Sequence, residues 1–301
     1  MQITSINFSN RTKLFPAQKH YQKKSFECPK ELKSDSVSFG NIYNNSLIKK
    51  QDCETCDKII KNLYGEKAEF MPEHSRFQRS FPRFDIDIKG EYKTIANGTL
   101  FLDDENNLKY ITIQEKDETG WCDLGEIKVI DTQGNIVKKL SKEQAKIIRH
   151  YRGNLATGLN SALIFNPANS LFQDDIKIMD SMFADNKIYS TFEKDTKVYR
   201  GFEVNKHNID FFRNNFNIGN TFKDKGFLST TKDPNRLKKY GNYYIEINIP
   251  AGTKYLDMPL LTSVSEYYIH EDEILLNRNT KLFIYAYDQN TKTFFAEVVE
   301  N

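Results

Sequence analysis

The sequence predicts an α+β fold on three observations. Helical periodicity is concentrated between residue 141 and about residue 186, strand-like runs succeed one another from Thr196 onward, and the two do not alternate as in a doubly wound sheet. A chain of 301 residues, 39% of them hydrophobic, is long enough to bury at least one substantial core. It contains neither G-x-G-x-x-G nor G-x-x-x-x-G-K-[ST], so neither common phosphate-cradling loop is available to it.

Residues 1 to about 80 are rich in Lys, Asn, Ser and Gln, with scattered apolar residues, and read as a flexible polar arm. Residues 81–140 read as a small antiparallel β segment, with turn signals at Asn97-Gly98, at Asp104-Glu105-Asn106-Asn107 and at Gln133-Gly134-Asn135. Residues 141–301 read as a larger domain. Ser141 is placed to cap a helix whose Ala145, Ile148 and Tyr151 fall at helical spacing. LATGLNSALI and SLFQDDIKIMDSMFADN offer two more helices. The strands that follow are KVYRGF, KGFLSTT, YYIEINI, TKYLDM, DEILLN, KLFIYAY and TFFAEVV.

Composition excludes several function classes. With 43 basic and 41 acidic residues the formal net charge is only +2, too balanced for a protein built to grip a phosphate backbone, and no nucleic-acid partner is expected. The four cysteines, Cys28, Cys53, Cys56 and Cys122, are too unevenly spread for a disulfide framework. Cys53 and Cys56 have C-x-x-C spacing, but zinc needs two further ligands, for which His74 or Cys28 are the candidates; an ordinary pair of thiols, or a non-native disulfide, is the bland reading, and no metal is expected. The first thirty residues lack the apolar run of ~7–15 residues that a secretory signal needs. No run of ~18 apolar residues occurs, so no membrane span is expected. Export, if it occurs, uses a route that does not read a hydrophobic signal.

Three short stretches carry candidate chemistry. In HEDEILL, Glu271 and Glu273 stand two apart at the start of an apolar strand, so both carboxylates face one side and Asp272 the other. Charged strand ends are common, and this is the bland alternative. His270-Glu271 also resembles the first half of a zinc-protease H-E-x-x-H, but Ile274 stands where the second histidine belongs. In GFLSTT, Ser229, Thr230 and Thr231 can donate to a carboxylate or to ribose hydroxyls, or can cap the helix suggested by DPNRLKKY. In KVYRGF, Arg200 ends a strand with the side chain best shaped to hold a phosphate or carboxylate, though a surface arginine is the common case.

The order arginine, then Ser-Thr-Thr, then Glu-x-Glu, each at a strand end, resembles the R-S-E class of mono-ADP-ribosyltransferases, and within it the insecticidal and iota-type binary toxins. The resemblance runs from about residue 141 to the C-terminus. Its most specific part is GFLSTT with HEDEILLNRNTKLFIY, where the family has Phe-x-Ser-Thr-Ser and Glu-x-Glu-x-Leu-Leu-x-x-x-(Ser/Thr)-Lys. It implies the ADP-ribosyltransferase fold, with helices followed by two packed, mainly antiparallel sheets around an NAD cleft. It further implies that Arg200 holds a phosphate of NAD, that the Gly201 backbone binds the nicotinamide amide, and that Ser229, with Thr230 beside it, lines the NAD site. Ser229 would position the catalytic Glu273, which grips the nicotinamide ribose. Glu271 would orient or deprotonate the acceptor, of the arginine rather than the asparagine type; Tyr240 would stack on nicotinamide and Tyr268 would touch the acceptor protein. HYRGNLATGLNSAL resembles the family's Tyr-Thr-Gly helix start, whose asparagine nine residues on is matched by Asn160, bordering the NAD cleft. Arg152, in the first copy of Tyr-Arg-Gly, takes a position where the family tolerates threonine and is expected to be dispensable. Iota-type members have a second arginine where this chain has Gly201, a tyrosine where it has Ala156 and a basic residue where it has Tyr243, so the resemblance does not extend to actin as acceptor.

The function so implied is transfer of ADP-ribose from NAD, as co-substrate, to a side chain of a host protein, with release of nicotinamide. The protein would be a monomeric bacterial toxin or effector acting in a target-cell cytosol, or otherwise in the bacterial cytoplasm. An NAD glycohydrolase that passes the ribose to water, and an inert module binding NAD or a partner, are the alternatives.

Overall fold

The computed structural model describes residues 49–72, 83–91, 93–103, 105–116, 125–165, 171–206, 209–262 and 272–299. The polar beginning of the chain is not arm throughout. Lys50–Tyr64 forms helix α1, and Glu69–Pro72 forms strand β1. Cys53, Cys56, Ile59 and Ile60 recur at helical spacing and make a buried stripe against Ile86, Ile88, Leu100, Ile111 and Ile113. The stripe is easily missed because two of its members are cysteines, which here act as small apolar residues. Both are free thiols, and no group of three or more His, Cys, Asp or Glu among the described residues is arranged to hold a metal. Cys28, His74 and Cys122 lie outside the described residues.

Strands β1, β2 (Arg83–Lys89), β3 (Thr94–Leu102), β4 (Leu108–Glu115), β5 (Ile127–Asp131) and β6 (Ile136–Leu140) form a six-stranded antiparallel meander in chain order. Two of the three expected turns are present. Asp103 accepts from the Glu105 and Asn107 N–H groups, and Asp131 does the same for Gln133 and Asn135, with Gly134 in the left-handed region at φ +87°. The third is not a turn: Asn97-Gly98 lies inside β3, paired on both sides. A Cβ on Gly98 would come within 2.8 Å of the Thr112 carbonyl oxygen and 3.0 Å of Ile86. Close approach of neighbouring strands, rather than a bend, is what the glycine serves.

At Leu140 the chain leaves this sheet and Ser141 starts helix α2 (Lys142–His150) with a complete capping box: the Gln144 N–H donates to the Ser141 hydroxyl and the Ser141 N–H to the Gln144 side chain. A π-helical turn, Tyr151–Leu155, connects α2 to α3 (Ala156–Phe165), and Gly153 inside it departs from helical dihedrals. Helix α4 (Gln173–Ala184) follows.

The remaining strands are β7 (Ser190–Thr191), β8 (Thr196–Phe202), β9 (Thr221–Lys223), β10 (Leu228–Thr231), β11 (Tyr243–Ile249), β12 (Lys254–Asp257), β13 (Glu273–Leu276), β14 (Lys281–Asp288) and β15 (Thr293–Val299). Periodicity missed the short β7 and β9 and helix α5 (Ile209–Asn215), all briefer than a clear period. Their hydrogen-bonded order is β7-β12-β13-β10-β8-β11-β15-β14-β9, antiparallel except for β11 with β15. The order has a weak point. β8 pairs with β11 along all seven of its residues but with β10 only through Thr231 and Tyr199.

The sheet therefore divides at the β8–β10 joint into two halves that share one apolar cluster: Leu228, Ile274 and Leu276 from one half meet Val198, Phe202, Ile245 and Ile284 from the other. The opposite face of the first half, through Phe227, Leu256 and Leu275, packs on α2, α3 and α4. Alternation along β13 thus sends Leu275 to the helices and its neighbours to the other half-sheet. The six-stranded sheet joins the same body. Ile127 and Leu140 enter the helical cluster, the Thr112 hydroxyl donates to the Leu260 carbonyl at 2.8 Å, and the Lys138 ammonium donates to the Ile188 and Tyr189 carbonyls at 2.9 Å each. The whole is an α+β arrangement with two mainly antiparallel sheets.

Burial raises the Cys53 thiol to about 11 and Cys56 further still. In the folded protein both are expected to resist iodoacetamide at pH 7.5, and in urea both to react at the rate of free cysteine, as mass spectrometry of tryptic peptides would show. Rapid native labelling of Cys56 would place α1 off the sheet.

Candidate functional site

Arg200 on β8, Ser229 on β10 and Glu273 on β13 come from the three strands at the division of the sheet, and all three act on the hydroxyl of Tyr151. Tyr151 is 1% exposed, at the turn between α2 and α3. The Asn160 amide nitrogen donates to its hydroxyl at 3.1 Å, and the Ser229 hydroxyl is hydrogen-bonded to it as well. Burial, and then the charge of Glu273, push the phenol well above the usual tyrosine range, while Ser229, Asn160 and Arg200 pull the other way. Tyr151 is accordingly a neutral phenol among an acid, a base and two amide and hydroxyl partners.

Asn160 fixes β10 to the helices. Its side-chain oxygen accepts from the Phe227 N–H at 2.9 Å and its nitrogen donates to the Phe227 carbonyl at 3.2 Å, so both ends of the amide are engaged with backbone one residue before the strand. A Cβ on Gly226 would come within 2.8 Å of the Asn160 oxygen, which is why glycine precedes Phe227. Phe227 itself stacks on Phe183 with centroids 5.8 Å apart and meets Tyr151 edge-on at 6.1 Å.

From Phe227 the alternation of β10 sorts the three hydroxyls. Ser229, two residues on, shares the side of Phe227 and reaches Tyr151. Thr230 faces the other way, buried, and donates its hydroxyl to the Ile274 carbonyl at 2.8 Å, so the structure does not bring it to the cluster. Thr231 accepts from the Asp233 N–H at 3.2 Å; the cap of the following 3-10 turn (Pro234–Lys239) is Asp233, not one of the three hydroxyls. Glu273 is the first residue of β13, 8% exposed, paired with Thr231 across the ladder and on the same side as Leu275. Its backbone carbonyl accepts from the Met258 N–H at 3.1 Å.

Arg200 faces Asp224, with Nη1 to Oδ2 at 3.4 Å and both side chains largely buried. Burial pushes the Asp224 carboxyl up, opposed by the Arg200 charge and by the Gly226 N–H, which donates to its other oxygen at 2.9 Å. Gly201 lies under the 3-10 turn: a Cβ there would meet Tyr240 Cβ at 3.0 Å and the Leu237 carbonyl oxygen at 3.1 Å. The second arginine of the iota-type pattern would crowd the turn at this position, and the half-buried Tyr240 is held beside the Arg200 strand. Arg152, expected to be dispensable, is buried within its turn, so the two arginines of the doubled Tyr-Arg-Gly are not distinguished by exposure. Glu271 and Tyr268, together with His270, lie outside the described residues.

Two members of the site escaped sequence reasoning. Asp224 had a signal, an Asp-x-Gly turn immediately before a strand. For the Tyr151 hydroxyl the only signal was the resemblance of HYRGNL to the Tyr-Thr-Gly helix start, since by periodicity alone an aromatic at helical spacing reads as core.

Comparison with known proteins gives one family match, described as ADP-ribosyltransferase exoenzyme, over residues 131–299. None of the curated proteins compared with the chain matches it. Among solved structures it is similar to Plx2a, an ADP-ribosyltransferase toxin from Paenibacillus larvae, at 21% identity over 54% of this chain and 88% of that one, with a TM-score of 0.44. It is similar to an ADP-ribosyltransferase from Clostridium botulinum at 17% identity, with the same coverage and a TM-score of 0.43. Exoenzyme S from Pseudomonas aeruginosa, solved with human 14-3-3 protein beta and bound to carba-NAD, matches at 23% identity over 52% of this chain and 74% of that one, with a TM-score of 0.40.

Asn160→Ala removes the acceptor of the Phe227 N–H and a donor to its carbonyl. It is expected to lower stability by about 1–3 kcal/mol in urea unfolding, the cost of a buried group left unsatisfied. A loss below about 0.5 kcal/mol, typical of a surface change, would show that the amide does not fix β10.

Proposed function

Because the chain belongs to the ADP-ribosyltransferase exoenzyme family, we propose that its larger domain transfers ADP-ribose from NAD to an acceptor protein side chain, an arginine of a host protein, with release of nicotinamide. Its fold is the α+β fold of that family. The observation that carries the finer reading is that the buried Tyr151 hydroxyl, hydrogen-bonded to Ser229, lies in the fields of both Glu273 and Arg200, so that the three residue types of the R-S-E class act on one group from three strands.

The chemistry follows from the residues. The bond that breaks joins the nicotinamide nitrogen to the ribose. Its electron pair leaves with nicotinamide, and positive charge develops on the ribose as in glycoside hydrolysis. A carboxylate held in a water-poor position is the group that stabilises this charge, and Glu273, 8% exposed at the head of β13, is such a carboxylate. Ser229, on the same side of the ladder, is the hydroxyl that positions this carboxylate. Arg200, on the neighbouring strand β8, binds a pyrophosphate oxygen, so that binding energy remote from the reacting carbon favours the strained substrate. Gly201 leaves its backbone uncovered by a side chain, and Tyr240 provides the aromatic surface beside it. The acceptor nitrogen then bonds to the ribose carbon and loses a proton, for which Glu271 is the base.

With radiolabelled NAD and a eukaryotic cell lysate, wild type is expected to label protein, and Glu273→Gln to label it at least about 100-fold more slowly, the scale of losing one preorganised electrostatic group. Arg200→Lys is expected to raise the KM for NAD about tenfold, since an ammonium replaces a forked guanidinium. Equal labelling by wild type and Glu273→Gln would sink the reading; nicotinamide release with no labelled protein would make the enzyme a glycohydrolase instead.

A further inference from the structure

We infer that Asp224 is the positioning residue of Arg200 and thereby sets how tightly NAD is held. The inference rests on the proposed role of Arg200 as the phosphate-holding side chain.

Asp224 belongs to neither β8 nor β10 but to the turn before β10, and its backbone is fixed twice. Its N–H donates to the Thr280 carbonyl at 3.0 Å and its carbonyl accepts from the Asn279 N–H at 2.7 Å, which ties it to the turn between β13 and β14. Its two carboxylate oxygens have separate partners. One accepts from the Gly226 N–H at 2.9 Å and closes the turn; the other faces Arg200 Nη1 at 3.4 Å.

The turn alone does not require a carboxylate. Asparagine or serine offers the same oxygen to an N–H two residues on, without charge. A buried carboxylate, by contrast, is costly unless paired. The charge at residue 224 is therefore specific to the guanidinium it faces.

The position of the pair says what it does. β8 meets β10 through only one residue pair, Thr231 with Tyr199, so the ladder does little to register Arg200 against the strand that carries Ser229. The Asp224–Arg200 contact spans that joint a second time, from the turn at the start of β10. A long guanidinium side chain aimed in advance loses less freedom when it binds phosphate. Removing the carboxylate has two opposed effects. It makes the surroundings of Arg200 more positive, which favours an anion, and it removes a contact that orients the side chain, which disfavours binding. The pair is direct and largely buried, whereas the substrate anion lies beyond the guanidinium, so loss of orientation dominates.

The experiment measures nicotinamide release against NAD concentration for the full chain carrying Asp224→Asn, with melting temperatures alongside. KM is expected to rise about tenfold, kcat to change less than about threefold, and the melting point to stay within a few degrees, because asparagine keeps the turn. In an Arg200→Lys background the same substitution should add little further. Asp224→Ser, whose hydroxyl also serves the turn, is the second variant if asparagine does not fold. An unchanged or lowered KM in a folded variant, or effects that multiply fully with Arg200→Lys, would overturn the inference. If wild type releases no nicotinamide, the functional reading fails separately, and calorimetric NAD affinities decide for Asp224: equal affinity in wild type and Asp224→Asn refutes it.

Discussion

The side-chain amide of Asn160 closes on both the N–H and the carbonyl of Phe227, and the site is arranged around that contact. A helix and a strand ordinarily pack through apolar side chains, which tolerate sliding. A two-point amide-to-backbone contact does not, because a shift of one residue would orphan a buried N–H. With Phe227 fixed, its ring lies between Phe183 and Tyr151, and Ser229 falls two residues on, on the same side of the strand. Gly226 is the condition for all of this, since any side chain there would occupy the place of the Asn160 oxygen.

Tyr151 completes the arrangement from the helical side. Its ring is part of the apolar cluster that holds α2, α3 and α4 to the sheet, and its hydroxyl is the polar end that reaches the site. One side chain thus couples core packing to the position of Ser229 and to the field of Glu273. The same economy appears at the joint of the two half-sheets. A continuous ladder between β8 and β10 would cover the space between them, whereas a single residue pair lets the halves diverge and leaves charged side chains, Arg200 and Asp224, to hold them in relation. Polar groups at such a joint are buried and costly, and their mutual satisfaction is what makes the geometry specific.

Outside the family match, which begins at residue 131, α1 and most of the six-stranded sheet form a second apolar cluster of their own. The sheet nonetheless packs on the helical layer and, through Thr112, holds the Leu260 carbonyl in the stretch that follows β12. Met258, two residues before Leu260, bonds to the Glu273 backbone. The chain that leads toward Glu273 is in this way braced by a part of the protein that the family match does not include.

Much of the architecture was legible from local rules. Ser141 with Gln144 announces α2, the Asp103 and Asp131 turns announce β hairpins, and the strands from β8 to β15, the short β9 excepted, alternate visibly, because each of these signals lies within a few residues of chain. Local rules also misled where neighbours decided: Asn97-Gly98 has the form of a turn, yet strands on both sides hold it extended. Helix α1 was hidden because cysteines in a polar stretch suggest ligands before they suggest a buried stripe. For the site, the sequence by itself determined the inventory, an arginine, a serine and a glutamate on three strands, since strands can be read from periodicity; their ends cannot, and Arg200 and Ser229 lie inside β8 and β10 while only Glu273 stands at an end. Only the tertiary structure decided that Ser229 and not Thr230 reaches Tyr151, that Asn160 grips backbone, and that Asp224 stands behind Arg200. Those are contacts between residues 24 to 78 positions apart in the chain, Arg200 with Asp224 at one extreme and Tyr151 with Ser229 at the other. Which groups meet at such separations is settled by how the sheet halves and helices pack, and no local pattern encodes it.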